Sequence, residues 1–227
     1  MKNLTDKQKG MFLMNKTLVG QVKVLDVLIL VAFGAIAFYL NSSMMEIVAS
    51  LTGLVCVWLN AKENIWAYPI GIINLTLFFI IFYQVNLYAD ATLQVVFFIL
   101  SIYGWIVWLT KRGGQAVRPT RGMTKKETIG LFVGVLALTG GWGYGLHYLT
   151  DASIPYLDAF IASMSIFAQF FLSRKVLQNW LIWIAIDVLS IGMYIYKGLP
   201  LIAFTYFVFL LICIFGYVNW KKEMKEA

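Results

Sequence analysis

Charged side chains are scarce in this sequence. Only 13% of its 227 residues are charged and 61% are hydrophobic, whereas an average soluble domain is about 25% charged and about 45–50% apolar. This composition excludes a disordered chain and argues against a soluble globular enzyme. The few charges are also unbalanced, because 18 Lys and Arg against 11 Asp and Glu leave a net charge of +7.

Histidine and cysteine are rarer still. His147 is the only histidine, so histidine-clustered metal sites and histidine-based catalysis are nearly excluded. Cys56 and Cys213 are the only cysteines and both lie in hydrophobic runs, which excludes a disulfide framework and a cysteine-rich metal site. We therefore expect no cofactor, no metal and no enzymatic activity. We expect no cleavable signal peptide either, because the first 23 residues hold five lysines and no small-residue cleavage site.

Long hydrophobic runs are what the sequence has in excess. A membrane-spanning helix needs about 20 mostly apolar residues, and we predict an all-α integral membrane protein with eight transmembrane helices. The predicted spans are residues 24–40, 46–60, 66–83, 91–109, 128–148, 157–172, 179–196 and 201–220. The alternative for the first run is to lie flat on the membrane. It has no charge over residues 27–40, however, and an interfacial helix needs a polar face.

The basic residues predict how these helices are oriented. With eight spans, both termini and loops 61–65, 110–127 and 173–178 fall on one side of the membrane. That side holds 17 of the 18 Lys and Arg residues, and the other side holds only Lys197. Because basic loops stay in the cytoplasm, we predict that both termini are cytoplasmic. The positive charge then marks topology rather than a nucleic-acid site.

A weak internal repeat organises seven of these helices. A shift of 113 residues lays IVASLTGLVCVWLNAK (47–62) over FIASMSIFAQFFLSRK (160–175), and it lays Asn74 over Asp187 in equivalent helices. Each half holds three helices with one helix between them, so we expect an N-terminal helix followed by a 3+1+3 arrangement of parallel repeats. The predicted segments are 1–45 (N-terminal segment and extra helix), 46–109 (first three-helix bundle), 110–156 (basic loop and linker helix), 157–220 (second bundle) and 221–227 (tail).

Polar side chains inside the spans are the candidates for function. A charge at the bilayer centre costs about 2.5–3.5 kcal/mol, and Asp187 lies halfway along its predicted helix. Asn179 and Trp183 precede it at intervals of four residues, which places all three on one helix face. An amide, an indole and a carboxylate in one row can bind a flat polar ring. The structural alternatives are an interhelical hydrogen bond for Asp187, an interfacial position for Trp183 and a helix cap for Asn179.

The first repeat adds four further candidates. Asn74 lies deep in its span and Gln94 lies about one turn into the next helix, so both amides suit a polar cavity. Trp66 and Tyr68 stand where the helix of Asn74 begins. A place in the site and a place in the interfacial aromatic belt are equally consistent with these two residues.

Two glycine motifs, Gly130-x-x-x-Gly134 and Gly141-x-x-x-Gly145, fall on the linker helix. Such spacing lets helices approach closely, within one chain or between protomers. Neither motif has the strand and helix start that a phosphate-binding loop needs.

Other function classes explain the sequence less well. An intramembrane enzyme needs a nucleophile–base pair or metal ligands, which His147 and the scattered carboxylates do not supply. A structural or sensory membrane module does not need a polar row on a transmembrane helix. We therefore favour a carrier with a site near the membrane midplane between the repeats.

Two stretches resemble the PnuC nicotinamide riboside transporters. Residues 64–108, NIWAYPIGIINLTLFFIIFYQVNLYADATLQVVFFILSIYGWIVW, look like the first repeat of that family. Residues 173–198, SRKVLQNWLIWIAIDVLSIGMYIYKG, look like the core of its second repeat, and the resemblance covers residues 46–220. It implies a fold similar to a full-length SWEET arrangement, with 3+1+3 helices, an added N-terminal helix and a homotrimeric assembly.

The resemblance also implies a function. The family takes up nicotinamide riboside across the bacterial inner membrane by facilitated diffusion with alternating access, and a cytoplasmic nicotinamide riboside kinase traps the substrate. The family's Asn-x-x-x-Trp pattern falls on Asn179 and Trp183, which are expected to meet the carboxamide and the pyridinium ring. Asp187, Asn74 and Gln94 are then expected to bind ribose hydroxyls. Relatives that carry thiamine, riboflavin or deoxynucleosides leave those substrates as alternatives, beside a non-transport membrane module.

Overall fold

The computed structural model describes residues 44–84, 88–111, 113–150, 154–196 and 200–226. These ranges contain seven helices: α1 (Met44–Ala61), α2 (Ala67–Gln84), α3 (Tyr88–Trp108), α4 (Lys125–Leu149), α5 (Pro155–Ser173), α6 (Asn179–Tyr196) and α7 (Pro200–Glu226). All seven are long and apolar enough to cross a membrane. The predicted span at residues 24–40 lies outside the described residues.

Seven of the eight predicted spans are confirmed as helices, and differ from the prediction only at their ends. α7 continues past Trp220 through a charged segment, because lysine and glutamate are good helix formers that need not lie in the membrane. α4 begins early at a capping box, in which the Thr124 side chain accepts from the Glu127 backbone and the Glu127 side chain accepts from the Thr124 backbone. The eighth helix and the parallel-repeat architecture stay predictions.

Four pairs of helices that follow one another in the chain pack together. α2 packs against α3, α4 against α5, α5 against α6 and α6 against α7, and α3 also packs against α5. One core cluster joins α5 and α6 and consists of Ala168, Phe171, Val176, Ile182 and Ile186. These contacts lie within residues 52–227, which form one packed unit. Of the other unit, residues 1–51, the structure describes the first two turns of α1.

Large apolar side chains are exposed along several helices. On α4 the exposed residues include Ile129, Phe132, Val133 and Leu136, which stand within two turns of one another. An apolar surface of this kind is unfavourable in water, whereas it suits the hydrocarbon of a bilayer.

The glycine motifs of α4 serve helix packing at one position. A Cβ atom at Gly134 would overlap the ring of Phe167 on α5, so this glycine permits the close contact between the two helices. The other three glycines of the two motifs face open space among the described residues. Gly143, which the motifs do not include, supports the same contact, since a Cβ there would lie 2.5 Å from the ring of Tyr156.

Three of the predicted loops meet at one end of the helices, which we call the basic end. Thr120 Oγ1, in the loop before α4, donates to Glu63 Oε1 over 2.9 Å. Lys175, in the turn between α5 and α6, places its Nζ atom 2.7 Å from Glu63 Oε2. The Arg121 and Leu177 backbones add hydrogen bonds of 2.9 Å between the loop and this turn. Loops predicted on one side of the membrane therefore lie together, and their cytoplasmic location stays a prediction.

Candidate functional site

Four side chains form a row on one face of α6. Asn179, Trp183 and Asp187 follow one another at intervals of four residues, and Ser190 continues the row one turn further. Asn179 and Ser190 are fully buried and Asp187 is 3% exposed. Trp183 is half-buried and packs against the core cluster between α5 and α6. We call these four residues the α6 row.

The α6 row carries polar atoms that lack a hydrogen-bond partner in the described part of the chain. These atoms are Asn179 Oδ1, Asp187 Oδ2 and Ser190 Oγ. A buried polar group that stays unpaired costs about 1–3 kcal/mol, and a charged group costs more. Buried polar groups are therefore nearly always paired, and three exceptions in one row indicate a surface that a polar ligand can complete.

The remaining polar atoms of the row have structural partners. Asn179 Nδ2 donates to the Val176 carbonyl over 2.7 Å, which fixes the start of α6 to the preceding turn. Asp187 accepts a hydrogen bond from the Cys213 thiol on α7. Each of these two side chains thus has a structural contact through one atom, and its second atom is free to face a ligand.

Two residues of this region were not among the sequence candidates. Ser190 could have been found from its position, because it stands three residues after Asp187 on the same helix face. Cys213 could not have been found in this way, since it lies on another helix and thiols in apolar runs are ordinary core residues.

The amides of the first half have different surroundings. Asn74 Nδ2 lies 3.4 Å from Thr52 Oγ1 of α1, which agrees with a role in holding two helices together. Gly53 gives this amide its space, because a Cβ atom there would lie 3.0 Å from Asn74 Nδ2. Gln94 is half-buried on α3. A substrate contact for Asn74 or Gln94 stays a prediction.

The two aromatic candidates of the first half, Tyr68 and Trp66, have different surroundings. Tyr68 is buried and meets Trp108 edge to face, with ring centroids 5.1 Å apart, towards the basic end. Its hydroxyl has no hydrogen-bond partner among the described side chains and backbone groups. Trp66 is 65% exposed, which favours the interfacial belt over the site.

Known proteins share this sequence and this fold. Residues 43–222 match the family described as "Nicotinamide mononucleotide transporter". The nicotinamide riboside transporter PnuC of Escherichia coli is 30% identical over 226 residues, which cover 88% of this chain and 94% of that protein. The chain belongs to the PnuC family. It is therefore a multi-pass membrane protein of a transporter family, and such membership agrees with the expectation that it is not an enzyme.

Two further proteins are similar to this chain at lower sequence identity. The riboflavin/roseoflavin transporter RibM of Streptomyces davaonensis is 23% identical, over 77% of this chain and 83% of its own. The crystal structure of the vitamin B3 transporter PnuC superposes with a TM-score of 0.71 at 23% identity, over 88% of this chain and 90% of that one. That superposition supports the PnuC fold of the described helices.

Proposed function

We propose that this chain carries nicotinamide riboside into a bacterial cell by facilitated diffusion, and that the α6 row binds the substrate. The observation that supports this most strongly is the set of unpaired polar atoms beside the half-buried Trp183 ring. Nicotinamide riboside brings a cationic aromatic ring, a carboxamide and a ribose, and each has a counterpart in the row.

The chemistry of the α6 row suits these three parts of the substrate. A cation over a tryptophan face gains roughly 0.5–2 kcal/mol, so Trp183 stacks on the pyridinium ring. Asn179 Oδ1 accepts from the carboxamide N–H groups, because its own Nδ2 is already bonded to the backbone. Asp187 Oδ2 and Ser190 Oγ bind ribose hydroxyls, and the Asp187 carboxylate balances the pyridinium charge.

A riboside fits this surface better than a mononucleotide, although the two names associated with the family differ on this point. α1, α2, α3, α5 and α6 contain neither lysine nor arginine. The phosphate of a mononucleotide would therefore meet the Asp187 carboxylate without a counter-charge on these helices. Like charges placed together cost several kcal/mol, so we infer that phosphorylation after entry prevents return.

The remaining features of the proposal rest on the internal repeat, the distribution of basic residues and the family resemblance. Two parallel three-helix bundles rock about a central site, which gives alternating access without an ion gradient. Both termini lie in the cytoplasm, a cytoplasmic nicotinamide riboside kinase consumes the product, and the chain assembles as a homotrimer in the inner membrane.

Riboflavin is the second candidate, because RibM is among the relatives. Its ring system is uncharged, so a riboflavin site gains no cation–π attraction, and the Asp187 carboxylate would accept from ribityl hydroxyls there without a cation to balance its charge. Thiamine and deoxynucleosides belong to the same class of vitamins and nucleosides and are further candidate substrates.

A binding titration distinguishes these substrates. Purified protein is titrated with nicotinamide riboside, nicotinamide mononucleotide, riboflavin, thiamine and deoxyadenosine, and tryptophan fluorescence reports binding. We expect the riboside to bind about a hundredfold more tightly than the mononucleotide, in line with a like-charge penalty of several kcal/mol. Equal binding of the two, or preference for riboflavin, would contradict the proposal.

Uptake into liposomes tests the mechanism. We expect labelled nicotinamide riboside to equilibrate across the bilayer, with an initial rate that ionophores leave unchanged. Collapse of the initial rate on adding ionophore would show ion coupling instead. The Asp187→Asn variant, which keeps the shape and removes the charge, should bind the cationic substrate more weakly than wild type.

A further inference from the structure

A buried lysine lies at the basic end. Lys175 is 0% exposed, although lysine is almost never fully buried without a partner. Its Nζ atom lies 2.7 Å from Glu63 Oε2 and 4.2 Å from the ring centroids of both Trp108 and Trp220. We call these four residues the tryptophan box.

The two indoles of the tryptophan box, which form its walls, connect the two halves of the chain. Trp108, at the end of α3, donates its indole N–H to the Leu172 carbonyl of α5 over 3.1 Å. Trp220 of α7 donates its indole N–H to the Asn60 carbonyl of α1 over 2.9 Å. Each indole thus belongs to one predicted bundle and is bonded to the backbone of the other.

Further polar contacts between the halves lie at the same end. Asn219 Nδ2 of α7 donates to the Ala61 carbonyl over 3.0 Å. Ser173 Oγ, at the end of α5, donates to the Leu100 carbonyl of α3 over 2.8 Å. The box is therefore the centre of a closed seam between α1–α3 and α5–α7.

We infer that the tryptophan box is the gate at the basic end, and that Glu63 sets its closing equilibrium by neutralising Lys175 as the ammonium leaves water. This inference rests on the alternating access proposed above, because substrate release at the basic end requires the seam to open. Closing the gate transfers a lysine charge into a site walled by two indoles. Such a transfer is costly unless a carboxylate arrives with it.

The surroundings of Lys175 support this balance. Burial lowers the pKa of the Lys175 ammonium to about 8, and the Glu63 carboxylate, with a smaller contribution from Glu223 of α7, opposes that change. The ion pair is therefore a condition for burying the lysine rather than a source of net stability. Removing only the carboxylate should favour the open gate, whereas removing both charges should restore closing.

A second ion-paired cluster at the same end provides a matched control. Glu127 of α4 pairs with Arg121 over 2.7 Å and with Arg174 over 3.2 Å. It is a carboxylate like Glu63, but its partners lie in the adjacent loop and at the end of α5. The Glu127→Gln variant breaks both ion pairs and removes none of the side-chain contacts between the two halves.

Cys213 can report whether the gate is open. Its side chain is 3% exposed and lies beside Asp187. It precedes Trp220 by seven residues, or about 10 Å along α7. Because the chain has only one other cysteine, the Cys56→Ala background leaves Cys213 as the single thiol. A water-soluble reagent reaches it from the basic end only when the box opens.

The experiment measures modification of Cys213 by a charged, membrane-impermeant thiosulfonate, in vesicles of both orientations and without substrate. An exposed marker, Lys111→Cys in a chain with both native cysteines replaced by alanine, identifies the face that carries the basic end. We expect E63Q to raise the modification rate from that face by about tenfold, a typical size for coupling between conformational states. From the opposite face the rate should fall.

The control variants decide whether the charge balance causes the effect. We expect the double variant E63Q/K175M to return towards the wild-type rate and E127Q to match wild type. The inference is overturned if E63Q behaves like wild type, if the double variant stays as fast as E63Q, or if E127Q has the same effect. Faster labelling of E63Q from both faces would indicate loss of structure and would also overturn it.

This outcome is independent of the proposed substrate. If nicotinamide riboside neither binds nor is taken up, the proposed function fails, while a one-sided rise in Cys213 labelling still supports the gate. If the riboside is transported but E63Q labels like wild type, the gate assignment alone fails.

Discussion

The α6 row and the tryptophan box both bury polar groups in an apolar protein, and they differ in how those groups are paired. In the row, Asn179, Asp187 and Ser190 each keep one atom without a partner in the described residues. In the box, Lys175 has Glu63 beside it, and the indole N–H groups of its walls bond to backbone carbonyls.

This difference distinguishes the proposed binding site from the proposed gate. Unpaired buried polar atoms destabilise the protein in the absence of ligand. A ligand that forms the missing hydrogen bonds removes this cost and therefore binds more tightly. Paired polar atoms resist separation and hold two parts of the chain together. Substitutions in the row should therefore change affinity more than stability, and substitutions in the box should do the reverse.

The largest effect should follow truncation in the box. Trp220 is fully buried, bonds to the Asn60 carbonyl and meets Trp180 edge to face with ring centroids 5.4 Å apart. We expect Trp220→Ala to lower the free energy of unfolding by about 3–5 kcal/mol, because it leaves a large cavity. A denaturant titration in detergent measures this. A loss below that of Trp183→Ala would reverse the comparison.

Truncation in the row should change binding instead. We expect Trp183→Ala to weaken nicotinamide riboside binding by roughly 10- to 100-fold, the size of a desolvated cation–π contact with its stacking area. Isothermal titration calorimetry measures the affinity. Trp66→Ala is the control, since replacing that exposed side chain should change affinity by less than about twofold. Equal losses of affinity in both variants would indicate that Trp66 also contacts the substrate. They would then contradict the assignment of Trp66 to the interfacial belt.

Much of this fold was predictable from the sequence, because hydropathy reports a local property. Seven apolar runs became seven helices, and only the ends differed. The polar extension of α7 and the Thr124 capping box were missed because neither lies in the hydrocarbon that hydropathy detects. The loop contacts at the basic end agree with the uneven distribution of lysine and arginine.

The two sites were predictable to different degrees for the same reason. Asn179, Trp183 and Asp187 lie on one helix, so helical periodicity alone places them on one face. The tryptophan box gathers Glu63, Trp108, Lys175 and Trp220 from four separate elements, and only tertiary packing brings them together. In the sequence, Lys175 is one more basic residue that marks the orientation.

The buried ammonium should also give the box a pH dependence. The folded-state pKa of Lys175 is lowered to about 8, whereas the ordinary value is 10.5. Between these values the unfolded chain binds a proton that the folded chain does not, so stability rises with pH. From pH 7 to pH 9.5 we expect wild type to gain about 2 kcal/mol relative to Lys175→Met.

Unfolding titrations of both proteins at the two pH values measure this difference. Comparison with Lys175→Met cancels the contributions of the other titrating groups to the pH dependence of stability. A difference that stays flat would mean that the ammonium is solvated in the folded protein. A difference that falls with pH would mean that pairing with Glu63 outweighs desolvation, and the E63Q effect on the gate would then be larger than expected.

The smallest expected effects are those of two buried serines, one in the α6 row and one in the seam between the two halves. Ser190 Oγ has no partner among the described residues, whereas Ser173 Oγ bonds to the Leu100 and Gln169 carbonyls at 2.8 Å each. We expect Ser190→Ala to weaken riboside binding by about 1 kcal/mol and to leave stability unchanged or raised. Ser173→Ala should lower stability by about 1 kcal/mol and leave affinity unchanged. If both variants lose stability equally, Ser190 has a structural partner and the proposed substrate-binding part of the row ends at Asp187.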